Sequence, residues 1–162
     1  MRKRDDRQAT RYETWLGAGW VIFDADGISG VTLPGEPAPA AEAADPPDAV
    51  GLLAAELAEY YGGGPWPRYP EVVARAASTS FTRRVYETVA AIPAGQSRTY
   101  GDIARQLGRP GAARAVGRAM ATNPFPVLIP CHRVIGADGS LTGFAGGVEM
   151  KAAMLEMEAA DG

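Results

Sequence analysis

Apolar positions along this chain recur in two different rhythms, and the change between them divides the sequence. From Tyr12 to Leu33 the run "YETWLGAGWVIFDADGISGVTL" is rich in β-branched and aromatic residues, interrupted by Asp26-Gly27, a strong turn signal. It predicts a hairpin with arms at 12–23 and 28–33, preceded by a charged, disordered tail at 1–10. The stretch 34–48, "PGEPAPAAEAADPPD", has no periodicity and reads as a Pro/Ala-rich surface linker. Helical spacing then appears: Leu52, Leu53, Leu57, Tyr60 and Tyr61 predict a helix over 48–61, ended by Gly62-Gly63-Gly64.

Beyond Thr79 the helical rhythm dominates. Phe81, Val85, Val89 and Ile92 share one face of a helix that Pro93-Ala94-Gly95 stops. A shorter helix follows, capped by Thr99, with Ile103 and Leu107 facing inward and Gly108 and Pro110 at its end. A third, "GAARAVGRAMATN", buries Val116 and Met120, and the two short helices joined by "GRPG" fit a helix-turn-helix. Three prolines keep "NPFPVLIPCHRVIG" from starting as regular helix, "DGSLTGFAGG" is a glycine-rich loop or hairpin, and strong helix formers close the chain. The fold expected is an α/β N-terminal subdomain over 11–78, a small antiparallel sheet plus a helix. A mainly α C-terminal domain with a helix-turn-helix follows over 79–162.

Composition narrows the function. Nearly half of the 162 residues are apolar, yet no run is long enough to span a membrane, and the charged start is not a secretory signal. A single cysteine cannot form an internal disulfide and fits a cytoplasmic protein; with one histidine besides, Cys/His zinc sites are excluded. The net charge of −3 hides an asymmetry. Between Phe81 and Arg133 eight arginines face two acids, a net +6, while the remaining residues sum to −9. An arginine-biased segment in an acidic chain provides either a local field for phosphate or merely a solvated surface.

The lone cysteine and lone histidine are adjacent, in "PVLIPCHRVIG". A free cysteine is ordinarily a small buried hydrophobe, but imidazole beside a thiol can generate the nucleophilic thiolate, provided a turn brings the two within reach. A resolving cysteine for redox chemistry is absent. A single nucleophile beside an arginine-rich helix-turn-helix points to covalent chemistry on DNA.

In order and spacing, "RTYGDIA", "ARAVGRAM", "NPFPVLIPCHRVIG" and "GFAGG" followed by a helix with Lys and Glu resemble the O6-alkylguanine-DNA alkyltransferases, the methylated-DNA–protein-cysteine methyltransferases. The likeness runs from about Ser80 to Glu158, and more weakly into the N-terminal hairpin. It implies irreversible, single-turnover transfer of an alkyl group from guanine O6 in duplex DNA to Cys131, without cofactor or metal, by a monomer. By resemblance, His132 takes the thiol proton through a water, Glu158 holds that imidazole, and Tyr100 protonates the departing guanine. Arg114 is the finger that fills the stack when the base is flipped. Ala115 belongs to a slim, alanine-rich helix that approaches the minor groove, and Arg98, Arg105, Arg109 and Arg118 contact phosphates. Met120, Pro126 and Phe144 line the pocket. Asn123 bridges the helix-turn-helix to the active-site segment, and Val134, Ala145 and Gly146 offer backbone groups to the guanine edge.

The sequence departs from the family at Phe144, where Tyr is common, at Ala145, and at Thr82 and Tyr86, where Gln and Trp are frequent. Two alternatives stay open. A non-catalytic alkylated-DNA-binding protein would keep the finger and lack the cysteine. A transcription regulator would need base-reading polar side chains that the alanine-rich helix scarcely supplies.

Overall fold

Alternation fixes the first sheet: in the strand Gly17–Asp24, Gly19, Val21 and Phe23 are buried while their neighbours are half-exposed. The computed structural model describes residues 6–141 and 143–160. By internal contacts the chain divides into two units, residues up to Pro67 and residues from Arg68 on.

In the first unit β1 (Gln8–Thr14), β2 (Gly17–Asp24) and β3 (Gly27–Val31) form an antiparallel meander. A two-residue β4 (Glu42–Ala43) pairs parallel with β1, giving the order β3-β2-β1-β4. The sheet is therefore mixed, not purely antiparallel. The helix α1 (Asp48–Tyr61) packs on β1 and β2 with Leu53, Leu57, Tyr60 and Tyr61 fully buried. A side chain at position 19 would collide with the Tyr12 ring, which crosses there and stacks 6.4 Å from Tyr61.

Several sequence expectations need correction here. The first hairpin arm is two strands: the chain reverses at Trp15-Leu16 and enters β2 through Gly17 at φ +112°, with Thr14 Oγ1 accepting from the Leu16 N–H at 3.0 Å. Gln8 to Thr10 are strand, not tail; residues 1–5 of that tail lie outside the described residues. The linker contributes β4 to the sheet. Leu52 is 57% exposed rather than part of the buried stripe, because Val50 and Ala54 take that face.

The second unit is mainly helical: α2 (Val72–Ala76), α3 (Ser80–Ala90), α4 (Tyr100–Gln106), α5 (Ala113–Ala121) and α6 (Val148–Ala160). The chain is thus α/β in its first unit and mainly α in its second. Thr79 caps α3 by accepting from the Thr82 N–H, and Thr99 and Asp102 form a reciprocal capping box on α4. Val85 and Val89 of α3, Ile103 of α4 and Val116 of α5 meet in one fully buried core, each worth roughly 1.5–3 kcal/mol against exposure. Gly108 at φ +72° turns the chain out of α4, and residues 107–112 lead into α5. A two-residue parallel pair, β5 (Arg98–Thr99) with β6 (Val134–Ile135), and the short α2 have no counterpart in the sequence reading. Among the described residues no helix is long and apolar enough to cross a membrane.

Candidate active site around Cys131

The segment that carries the cysteine is held by backbone geometry before any side chain acts. Pro126 to Cys131 are all buried, and Val127 adopts φ +75°, a left-handed conformation that β-branched residues rarely take. Asn123 secures this bend: its amide donates to Ile129 O at 2.9 Å, and its Oδ1 accepts from the Phe125 N–H at 2.9 Å. The chain then makes a single 3-10 turn, Cys131–Arg133, before joining β6. Pairing of β6 with β5 sets Val134 opposite Arg98 and Ile135 opposite Thr99, so the turn lies beside the start of α4. Tyr100 opens that helix.

The three turn residues are buried together with Glu158 of α6. His132 Nε2 lies 3.0 Å from Glu158 Oε1. Arg133 grips the same carboxylate, its Nε donating to Oε1 at 3.0 Å and a terminal nitrogen to Oε2 at 2.5 Å, while its other terminal nitrogen donates to Ile92 O at 2.7 Å. Burial alone would raise the Glu158 carboxyl, but hydrogen bonds and charge from His132 and Arg133 prevail and push it down to about 2. Burial pulls His132 below its ordinary 6.5, and the Glu158 hydrogen bond only partly offsets this, so the imidazole is neutral at pH 7 and able to accept a proton. Because Nε2 engages Glu158, Nδ1 is the acceptor nitrogen.

Cys131 itself is 7% exposed. Burial pushes its thiol up, opposed by the Asn123 side chain, the Lys151 ammonium and the N–H groups of Cys131 and His132. The sulfur at rest is a thiol, poised among groups that stabilise its anion. Burial also raises the half-buried Tyr100 hydroxyl, and the Cys131 charge adds to that, so the phenol keeps its proton. Gly117 and Gly143 border it at van der Waals distance. A Cβ at Gly117 of α5 would lie 3.9 Å from the Tyr100 ring, and one at Gly143 would lie 3.8 Å from its hydroxyl.

These shifts carry a pH consequence. Glu158 is depressed on folding, so its stabilisation is complete above about pH 4.5 and lost as pH falls through about 2. His132 is also depressed, so folding loses stability once pH drops below 6.5. Both act in the same direction. The melting temperature should be level near pH 7 and fall continuously on acidification, and Glu158→Gln should remove the component below pH 4.5; calorimetric scans across pH check this.

The structure brings Cys131, His132, Glu158, Tyr100 and Asn123 to one place. Met120 and Pro126 are buried, Phe144 and Gly146 half-buried, and Ala145 exposed. Val134 buries its side chain entirely, and its carbonyl already accepts from Lys151 Nζ at 2.6 Å. The arginines divide. Arg114 and Arg118 stand exposed one turn apart on α5, with Ala115 half-buried beside them. Arg98 bonds to Ser97 O and Gln96 Oε1, Arg105 pairs with Asp102, and Arg109 lies over the Phe81 ring at 5.4 Å. Arg133, counted with the basic segment, is completely buried and adds nothing to an outward field. Sequence reasoning missed Arg133 and Lys151. The only hint was charged residues set in otherwise apolar runs. Among the described residues no cluster of three or more His, Cys, Asp or Glu could hold a metal ion.

A family model described as "6-O-methylguanine DNA methyltransferase, DNA binding domain" matches residues 80–160. The methylated-DNA–protein-cysteine methyltransferase of Mycobacterium tuberculosis is 55% identical over 80 residues, 49% of this chain and 48% of that protein. Its counterpart in Salmonella typhimurium is 47% identical over 108 residues, 67% of this chain and 63% of that protein. The matched stretch thus spans about half the length of the mycobacterial relative. A crystal structure of Mycobacterium tuberculosis OGT in complex with DNA superposes with a TM-score of 0.76 at 30% identity, covering 96% of this chain and 93% of that one.

Proposed function

This chain belongs to the methylated-DNA–protein-cysteine methyltransferase family, and on that premise we propose that it repairs DNA by direct reversal, moving the alkyl group of O6-alkylguanine, chiefly methyl, onto Cys131. The observation that carries the reading is one thiol, buried beside an imidazole that Glu158 holds at 3.0 Å.

The thiol proton passes through a water to His132 Nδ1, and the Glu158 carboxylate stabilises the imidazolium. The thiolate attacks the methyl carbon in line; the S–C bond forms as the C–O6 bond breaks, and its electron pair stays on guanine. Tyr100, still protonated, gives its proton to the guanine ring, so the leaving group is the neutral base, and the imidazolium proton replaces the one Tyr100 lost. A thioether has no ready leaving path, so each molecule acts once.

Reaching O6 in line requires the base to leave the stack, at a cost of a few kcal/mol. We assign α4 and α5 to a helix-turn-helix whose second helix lies in the minor groove. Arg114 enters the stack, Arg118 touches phosphate from the same face, and Ala115 permits close approach. The locally tied Arg98, Arg105 and Arg109 are secondary phosphate contacts. Met120, Asn123, Pro126, Phe144, Ala145 and Gly146 border the everted base. The protein works on duplex DNA as a cytoplasmic monomer with no cofactor. The non-catalytic damage binder is disfavoured by the presence of Cys131 beside its base.

Incubation with duplex containing O6-methylguanine, followed by intact mass measurement, should add the mass of one methyl group, mapped to Cys131, in stoichiometric amount. Recovery of unmodified protein with the lesion intact would leave the damage-binder reading in its place.

A further inference from the structure

The last carbonyl groups of α5 need partners, and one of them finds its partner on another helix. The Asn123 N–H turns to Met120 O at 3.3 Å, so Ala119 O is met by side chains. The Tyr86 hydroxyl of α3 donates to it at 2.9 Å, and the Thr122 hydroxyl lies 3.4 Å away. Tyr86 and Ala119 are both buried. Burial raises the phenol, so it keeps the proton that it donates. The transfer chemistry above does not use Tyr86, which stands where Trp is frequent in the family.

The chain on either side of Ala119 gives this contact its reach. After it, the Asn123 amide donates to Ile129 O at 2.9 Å, and the Cys131 N–H donates to the same carbonyl at 2.7 Å. Before it, Arg114 and Arg118 stand exposed on the helix. Tyr86 therefore pins α5 to α3 where the helix hands over to the segment that carries the sulfur. We propose that Tyr86 is a positioning residue for the transfer: its hydroxyl, by holding Ala119 O, keeps α5 in register with the Asn123–Ile129–Cys131 hydrogen bonds, so that a base everted by α5 arrives in line with the sulfur. The inference rests on the methyl-transfer reading and deepens it. Binding is assigned to the outward face of α5, and thiol reactivity to the surroundings of Cys131; Tyr86 joins the two. Losing its hydroxyl should spare each and disturb their alignment. In-line attack tolerates that poorly, since a displacement of about 1 Å can slow a reaction roughly a hundredfold.

Tyr86→Phe keeps the ring and removes the donor, so the variant should fold with a melting point only a few degrees lower. The first-order rate of methyl transfer from saturating O6-methylguanine duplex should fall roughly tenfold, while duplex affinity and the rate of Cys131 alkylation by iodoacetamide stay within about twofold of the parent. An unchanged transfer rate overturns the proposal and leaves Tyr86 a packing residue. A matching loss of duplex affinity or of thiol reactivity overturns it too, because the effect then lies in one element and not in the alignment of two. The anchor is also read without methylated DNA. Amide hydrogen exchange at Thr122 and Asn123 should quicken severalfold in the Phe variant, and unchanged exchange there overturns the proposal equally. Failure of the repair reading shows separately, as absence of methyl uptake by the parent protein.

Discussion

Cys131→Ala is expected to abolish methyl transfer outright while leaving binding to O6-methylguanine duplex within a few-fold of the parent. The chain has no other thiol, and no other side chain combines sulfur's nucleophilicity with a neutral imidazole next to it. The substitution removes one atom from a site that is already 7% exposed, so it leaves a small void and should cost only about 1 kcal/mol. On the proposed reading, binding depends on other parts, above all Arg114 and Arg118 on α5 and the groups bordering the base. Mass spectrometry reads the first outcome and fluorescence anisotropy with a labelled duplex the second. Methyl uptake by the variant would assign the chemistry to another residue. Loss of binding together with transfer would mean that the lesion is held by Cys131 itself and not by α5 and the groups bordering the base.

The largest effect on stability should come from Arg133→Ala. It deletes three hydrogen bonds to Glu158 and one to Ile92 O, and takes from a buried carboxylate the guanidinium that balances its charge. Removing one member of a buried ion pair costs about 3–5 kcal/mol. For a unit of this size that lowers the melting point by roughly 12 °C or more. Pairing Arg133→Met with Glu158→Leu should recover much of the loss, because apolar volume replaces both charges. The double variant should nonetheless transfer slowly, since His132 has lost its carboxylate. Thermal melts of the two variants check the order; an Arg133→Ala protein as stable as the parent would mean that the ion pair is solvated in solution.

What the sequence made legible follows from how far each signal reaches along the chain. The Thr99 cap, Val85 with Val89, and Ile103 with Leu107 are local patterns, and each stands as its spacing predicts. The adjacency of Cys131 and His132, with Tyr100 and Glu158 named by resemblance, led to residues the fold brings together. Three kinds of feature stayed hidden. Two-residue strands such as β4, β5 and β6 have no period to detect. The Trp15-Leu16 reversal lacks a turn signature, because Gly17 and the Thr14 hydroxyl make it. Partnerships across 17 to 41 positions, as of Lys151 with Val134 and Arg133 with Ile92, convert residues counted as surface charge into buried ones. Charge counting cannot see this, because burial is decided by the fold.

The pairing of β5 with β6 has a practical consequence for anyone redesigning this site. The interval between the phenol at the head of α4 and the sulfur is gauged by main-chain atoms, two residues against two, so it is indifferent to the side chains that surround it. Substitutions at Met120 or Phe144 would leave that gauge untouched. The surrounding side chains are a replaceable lining around a fixed caliper.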